Sequence, residues 1–210
     1  MNAHNHSDDP YAESEQLWSG NPNDALIREV QGLAVGDALD GRLRQPRSEC
    51  QFGGRHFVFF QPFVDVGAGE GADAVWLAKQ GWVTTAVEPS AIACDRIAEA
   101  ATKAAVQVTI MQETLAGAEL GTYDLVSAFY MPLTPNTVPV LCDAVAPGGT
   151  LLFVHHKDMP HKDILGPADL AEALPSDFTV DKLTTTSRSV TGGAGVEHTA
   201  DVVLLARRSL

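Results

Sequence analysis

The sequence predicts a three-layer α/β fold: a doubly wound sheet of about seven strands, mostly parallel, with an antiparallel strand supplied by a C-terminal hairpin. Three observations carry this. From residue 62 onward, short apolar runs rich in β-branched residues alternate with helical patterns, as they do where crossover helices join parallel strands. A glycine-rich run, GAGEGA, separates the first of these strands from its helix. The last two strand-like runs are joined by a glycine loop, TGGAG, with no helical pattern between them, so they pair with each other.

The elements follow in order. Residues 1 to about 14 are polar and read as a flexible tail; His4 and His6 lie in it. Residues 15–210 read as a single domain. NDALIREVQGL places Ala25, Leu26, Val30 and Leu33 at helical spacing behind Asn23, a plausible N-cap. FVDVGA is an apolar strand. GADAVWLAKQ is a helix with Ala74, Val75, Leu77 and Ala78 towards the sheet, closed by Gly81 just past its end. WVTTAVE is a strand, and PSAIACDRIAEAATKAA a helix capped by Ser90. VQVTIMQ and YDLVSAFY are strands. NTVPVLCDAVA is a shorter helical segment. TLLFVHH is a strand, PADLAEAL a helix with Pro167 in its first turn, and FTVDKLTTTS and EHTADVVLLARR form the hairpin.

Composition narrows the function classes. Acids outnumber bases 27 to 14, for a net charge of −13. Nucleic-acid binders displace counterions with lysine and arginine, so nucleic acid and anionic membrane are poor partners for this chain. A small molecule or a protein fits better, with the chain acting as a monomer or a homodimer. No window approaches the roughly 20 apolar residues of a membrane span. The N-terminus has no hydrophobic core of a secretory signal, so the expected compartment is cytoplasmic. Cys50, Cys94 and Cys142 are scattered without metal-ligand spacing, so reduced structural thiols are expected and no metal site.

The strand–glycine–helix unit at Phe63 to Trp82 calls for a nucleotide-like ligand. Gly67, Gly69 and Gly71 alone fit either a nicotinamide dinucleotide or S-adenosylmethionine. Asp65, two residues before Gly67, separates the two. A carboxylate so close to this turn opposes an anionic pyrophosphate and suits an ammonium or sulfonium. Glu88 ends the next strand, 17 residues after Gly71, where an acid takes both hydroxyls of a ribose.

With the later landmarks added, the chain resembles the class I S-adenosylmethionine-dependent methyltransferases. The resemblance rests on VDVGAGEG (64–71), VEPS (87–90), YDLVSAFY (123–130) and APGGTLLF (146–153), and covers roughly residues 62–207. WSGNPN at 18–23 is similar to small-molecule members such as the tellurite-resistance-like and thiopurine-like enzymes. The resemblance implies a Rossmann-like fold and methyl transfer to a small-molecule acceptor, with S-adenosylhomocysteine as product. It implies that Asp65, Gly67, Ala68, Gly69 and Gly71 line the methionine part of the cofactor. Glu88 binds the ribose and Pro89 packs beside the adenosine. Glu113 and Thr114 end the third strand, where an acid usually borders the adenine; Thr114 occupies the acidic position and Glu113 stands one place early. Ala128, Phe129 and Tyr130 border the methyl group. The same loop also admits an NAD-dependent oxidoreductase, or a regulatory protein that binds S-adenosylmethionine without catalysis.

Methyl transfer needs a base only when the acceptor must lose a proton, so no signature catalytic residue is expected. His155, His156 and Tyr130 are the candidates for such a role, and Trp18 and Tyr130 for contact with the acceptor. Adjacent His155 and His156 point to opposite faces if the strand continues through them, which makes them poor joint metal ligands. AFYMPL after the fourth strand departs from the Asn-Pro-Pro-aromatic pattern of enzymes that methylate nucleic-acid bases. One departure from the family precedes the glycine loop. VGDALDG (35–41) itself reads as the start of the first strand, and an aromatic-rich insertion at about 41–62 intervenes before FVDVGA. Phe52, Phe57, Phe59, Phe60 and Phe63 cluster there. The segment packs on its own surface, or forms a lid or a dimer contact.

Overall fold

The computed structural model describes residues 9–35, 48–52, 55–59, 61–158, 163–187 and 197–210. Helix α1 (Asp24–Val35) comes first, followed by β1 (Ser48–Phe52) and β2 (Arg55–Phe59), which pair as an antiparallel hairpin in a two-stranded sheet of their own. The main sheet is built from β3 (Pro62–Val66), β4 (Val83–Val87), β5 (Val108–Met111), β6 (Tyr123–Phe129), β7 (Val145–His156), β8 (Phe178–Ser187) and β9 (Ala200–Arg208). Their order is β5-β4-β3-β6-β7-β9-β8. Strands β3 to β7 are parallel to one another, and β9 runs antiparallel to both β7 and β8. The doubly wound sheet expected from the alternation is therefore present, with its one reversed strand where the hairpin required it.

Helices α2 (Ala72–Lys79), α3 (Ala91–Lys103), α4 (Val138–Asp143) and α5 (Pro167–Ala173) cross over between strands. Local signals set their ends. Ser90 Oγ accepts the Ala93 N–H, a side-chain N-cap for α3. After α2 the N–H groups of Gly81 and Trp82 bond to the carbonyls of Ala78 and Leu77, and Gly81 takes φ +93°, a Schellman stop. Asn23 Oδ1 accepts the Ala25 N–H at the start of α1.

Two apolar layers hold the sheet. On one face Val64, Val126, Leu151, Phe153 and Leu204 pack with Leu141 of α4 and Leu170 of α5. On the other, Phe63, Leu125, Leu152, Val154 and Val203 pack with Leu26 of α1 and Leu77 of α2. Fully burying one such side chain contributes about 1.5–3 kcal/mol. No helix among the described residues is long and apolar enough to cross a membrane.

The structure differs from the sequence expectation in three places. Within residues 9–14, assigned to the flexible tail, Pro10–Glu13 form a short 3-10 turn capped by Asp9, with Tyr11 buried and Pro10, Ala12 and Glu13 exposed. Strand β7 begins at Val145, ahead of the expected Thr150, because Tyr123 pairs with Val145 before a register shift. Phe63, counted with the aromatic insertion, is a fully buried core residue of β3. Of the rest of the insertion, the described residues form the β1–β2 hairpin, which precedes β3 in the chain. VGDALDG beyond Val35, and Phe60, lie outside the described residues.

Candidate active site

The crevice lies where the order of the sheet reverses, between β3 and β6, at the C-terminal ends of the strands. Gly67, Gly69 and Gly71 have φ of +72°, +54° and +79°, a region that L side chains enter only with strain. The loop is also enclosed. A Cβ on Gly67 would lie 2.8 Å from Met131 Cβ, and one on Gly71 2.7 Å from Ile97 Cγ1. The N–H groups of Gly67 and Ala68 donate to the Val87 carbonyl at 2.9 and 3.1 Å, which ties the loop to β4.

Three carboxyl groups converge here. Asp65 is 2% exposed and accepts the Ser127 hydroxyl at 2.7 Å. Burial raises its pKa to about 6; Ser127 opposes the shift and Glu88 adds to it. Asp73, in the first turn of α2, accepts the Asn23 N–H and is raised well above the usual carboxylate range, by burial first and then by Asp65. Glu88 takes the Gly69 N–H on one oxygen at 2.9 Å and the Ser90 N–H on the other at 3.0 Å. Burial raises its pKa too, against the pull of those two amides. The crevice therefore disfavours an anion and gains from a cation.

A strap from residue 9 to residue 23 crosses this crevice. Asp9 accepts the Ser90 hydroxyl at 2.7 Å. Tyr11 and Trp18 lie against Gly69, with Trp18 Nε1 donating to the Tyr11 hydroxyl at 3.2 Å. Burial pushes the Tyr11 phenol up to about 12. Glu70, set between the glycines, accepts the N–H groups of Leu17 and Trp18, each at 2.9 Å. Arg96 of α3 bonds Glu70 at 2.6 Å and the carbonyls of Tyr11 and Ser14. The strap ends at Asn23, whose Nδ2 donates to the Tyr130 hydroxyl at 3.0 Å.

Tyr130 opens a second group of polar side chains. It has φ +53°, an uncommon conformation for a residue with a side chain. Its hydroxyl donates to Asp201 Oδ2 at 2.7 Å. Asp201 Oδ1 lies 3.0 Å from His156 Nδ1. The His156 ring stacks on Tyr130, with centroids 4.4 Å apart, and on His198, 3.7 Å apart. Register explains the pairing: His156 of β7 stands directly opposite Asp201 of β9. His155 follows Phe153 towards the α4–α5 side of the sheet, and burial lowers its pKa to about 4. It stays neutral near pH 7 and is a weak base. Among the described residues no three His, Cys, Asp or Glu side chains form a metal-binding group. Cys94 and Cys142 are free and buried, and burial raises each thiol to about 11.

The model of a methyltransferase-domain family matches residues 41–174. The chain belongs to this family. Its cofactor is S-adenosylmethionine, and the crevice fits it: a glycine cradle beside carboxyl groups that disfavour a pyrophosphate. Solved structures agree on the fold. Magnesium protoporphyrin IX methyltransferase (ChlM) from Synechocystis PCC 6803 with bound S-adenosylmethionine is 19% identical, with a TM-score of 0.60 over 88% of this chain and 78% of that one. The N-methyltransferase NodS from Bradyrhizobium japonicum WM9, in complex with S-adenosyl-L-homocysteine, is 16% identical, with a TM-score of 0.57 over 70% of this chain and 78% of that one. A structure from work on converting a disulfide bond into a thioacetal group in echinomycin biosynthesis is 14% identical, with a TM-score of 0.67 over 92% and 85% of the two chains. At these identities the likeness is one of fold. No curated protein matches the chain.

Within this methyltransferase domain the expected site residues separate into groups. Asp65, Gly67, Ala68, Gly69, Gly71 and Glu88 come together around the loop. Pro89, Glu113 and Thr114 stand exposed beyond β4 and β5. Ala128 and Phe129 are buried in opposite core layers. Trp18 lies over the glycine loop, while Tyr130 and His156 form the second group. Sequence reasoning missed Asp201, His198, Asp73 and Tyr11, as well as the Glu70–Arg96 pair that fastens the strap.

Proposed function

We propose that the chain transfers the methyl group of S-adenosylmethionine to a small molecule held at the C-terminal ends of β6 and β7 and the N-terminal end of β9. One observation carries the reading. The acidic glycine-loop crevice is linked directly to the Tyr130–Asp201–His156 group through Asn23, which bonds Asp73 with its backbone and Tyr130 with its side chain. In this reading the cofactor site and the acceptor site are parts of one hydrogen-bonded unit. In this reading Asp65, Gly67, Ala68, Gly69 and Gly71 receive the methionine part. Glu88 receives the ribose, since each of its oxygens has a second lone pair beyond the amide it already binds. Pro89, Glu113 and Thr114 flank the adenosine, and the backbone at Ala128 and Phe129 borders the methyl group. S-adenosylmethionine supplies a methyl already activated as a sulfonium, so the chain's part is to align the acceptor in line with it. The net charge of −13 supports a small acceptor rather than nucleic acid.

Incubation with methyl-labelled S-adenosylmethionine and a panel of phenols, thiols, amines and carboxylates tests this. Label is expected on one chemical class, with one S-adenosylhomocysteine released per methyl transferred. Tight S-adenosylhomocysteine binding with no label on any class would favour the non-catalytic binding protein instead.

A further inference from the structure

The carboxyl groups at the glycine loop are enclosed. Asp65 is 2% exposed and Glu88 5%, so a solute reaches either one only when a neighbouring segment moves. The strap crosses here and is tied at both ends. Asp9 bonds Ser90, two residues past Glu88, and Asn23 bonds Asp73, a charge neighbour of Asp65. Between these ends Tyr11 and Trp18 close on Gly69. Two charged side chains hold the middle. Glu70 accepts the Leu17 N–H on one oxygen and the Trp18 N–H on the other, each at 2.9 Å. Arg96 Nη1 donates to Glu70 at 2.6 Å, while Nη2 donates to the carbonyls of Tyr11 and Ser14. Glu70 belongs to the glycine loop and Arg96 to α3, so the clasp fastens the strap to the frame of the crevice itself. A guanidinium suits this place, because its planar fork serves a carboxylate and two carbonyls at once, whereas an ammonium is a point donor.

We propose that Arg96 and Glu70 are the positioning residues of a gate: they hold the strap across the crevice, and S-adenosylmethionine enters and S-adenosylhomocysteine leaves only when this clasp opens. This rests on the cofactor placement proposed above. The clasp bonds the strap to the loop and to α3, not to the ligand, so it stabilises the closed strap alike with and without ligand. Weakening it raises the open fraction and speeds entry and exit together, with their ratio little changed. A strap that served only as a wall of the binding site would behave differently. Its loosening would speed exit, leave entry unchanged and weaken affinity. A general loss of stability does not speed entry either.

Stopped-flow tryptophan fluorescence of the full chain at pH 8 gives the association and dissociation rate constants for S-adenosylhomocysteine, and calorimetry gives Kd. In Arg96→Ala both rate constants are expected to rise about tenfold or more, with Kd staying within about threefold of wild type. Arg96→Lys keeps a charged donor and should return both rates part of the way to wild type. Glu70→Gln keeps one acceptor for the strap amides and removes the charge that Arg96 holds. It should move both rates in the same direction as Arg96→Ala, and it decides the matter by itself if Arg96→Ala does not fold. Wild-type rates in these variants, or faster exit with unchanged entry, would overturn the gate and leave the cofactor site standing. Failure of the wild-type chain to bind S-adenosylhomocysteine would overturn both.

Discussion

Asp65→Asn is expected to make the ligand-free protein more stable at pH 8 and to weaken S-adenosylhomocysteine binding by about a hundredfold, roughly 2.7 kcal/mol. The two effects have one cause. Burial holds the Asp65 pKa at about 6, with Ser127 opposing and Glu88 reinforcing the shift. The unfolded chain releases this proton near pH 4. Between pH 4 and 6 the folded state binds the proton and the unfolded state does not, so stability falls as pH rises through that window. Above pH 6 the full cost is present. Two pKa units correspond to about 3 kcal/mol, an upper figure once local relaxation is allowed. Asparagine keeps the oxygen that accepts from Ser127 and removes the charge. Its melting temperature should therefore exceed that of wild type by about 5–10 °C at pH 8, and the gap should close by pH 4. In the proposed reading the same charge pairs with the ammonium of the bound cofactor. Wild-type affinity should weaken as pH falls below 6, whereas methylthioadenosine, which lacks the amino-acid part, should show little dependence. Thermal unfolding and calorimetric titration at three pH values measure both. An Asn variant that binds S-adenosylhomocysteine as tightly as wild type would remove Asp65 from the cofactor site.

Gly71→Ala is expected to destabilise the protein by about 2–5 kcal/mol. Gly71 caps α2 with φ +79°. Holding an L residue there costs about 1–2 kcal/mol. The new Cβ would meet Ile97 Cγ1 at 2.7 Å, and Ile97 is a fully buried residue of α3, so it has little room to move. Overpacking of this kind costs a further 1–3 kcal/mol, roughly. The melting temperature should fall by about 5–15 °C. Gly121→Ala is the control, because a Cβ there meets nothing within 4 Å and its backbone is outside the left-handed region. If Gly71→Ala and Gly121→Ala melt together, the loop is not held as described.

The sheet was legible because its signals are local. Each strand is a short apolar run, and Ser90 and Gly81 mark helix ends by their own hydrogen bonding and backbone freedom. Asp65 and Glu88 were legible because they sit at fixed distances from the glycines. Asp201 was not. It lies 45 residues from His156 and 71 from Tyr130, and only the antiparallel register of β9 on β7 brings it to them. Nothing in EHTADVVLL sets that aspartate apart from a solvated one. Tyr11 was hidden for a similar reason. A single aromatic residue in a polar segment carries no periodicity, and its burial depends on Arg96, 85 residues away, bonding its carbonyl. Strand alternation turns the Phe129 side chain into the core, so in the proposed reading it is the backbone at this strand end that borders the methyl group.

The acidic glycine loop takes S-adenosylmethionine rather than a dinucleotide, and calorimetric titration of the full chain at pH 8 with S-adenosylhomocysteine, NAD and NADP tests this. Saturable one-to-one binding of S-adenosylhomocysteine is expected, with no binding heat from either nicotinamide cofactor. Saturable binding of NAD or NADP with none of S-adenosylhomocysteine would contradict it.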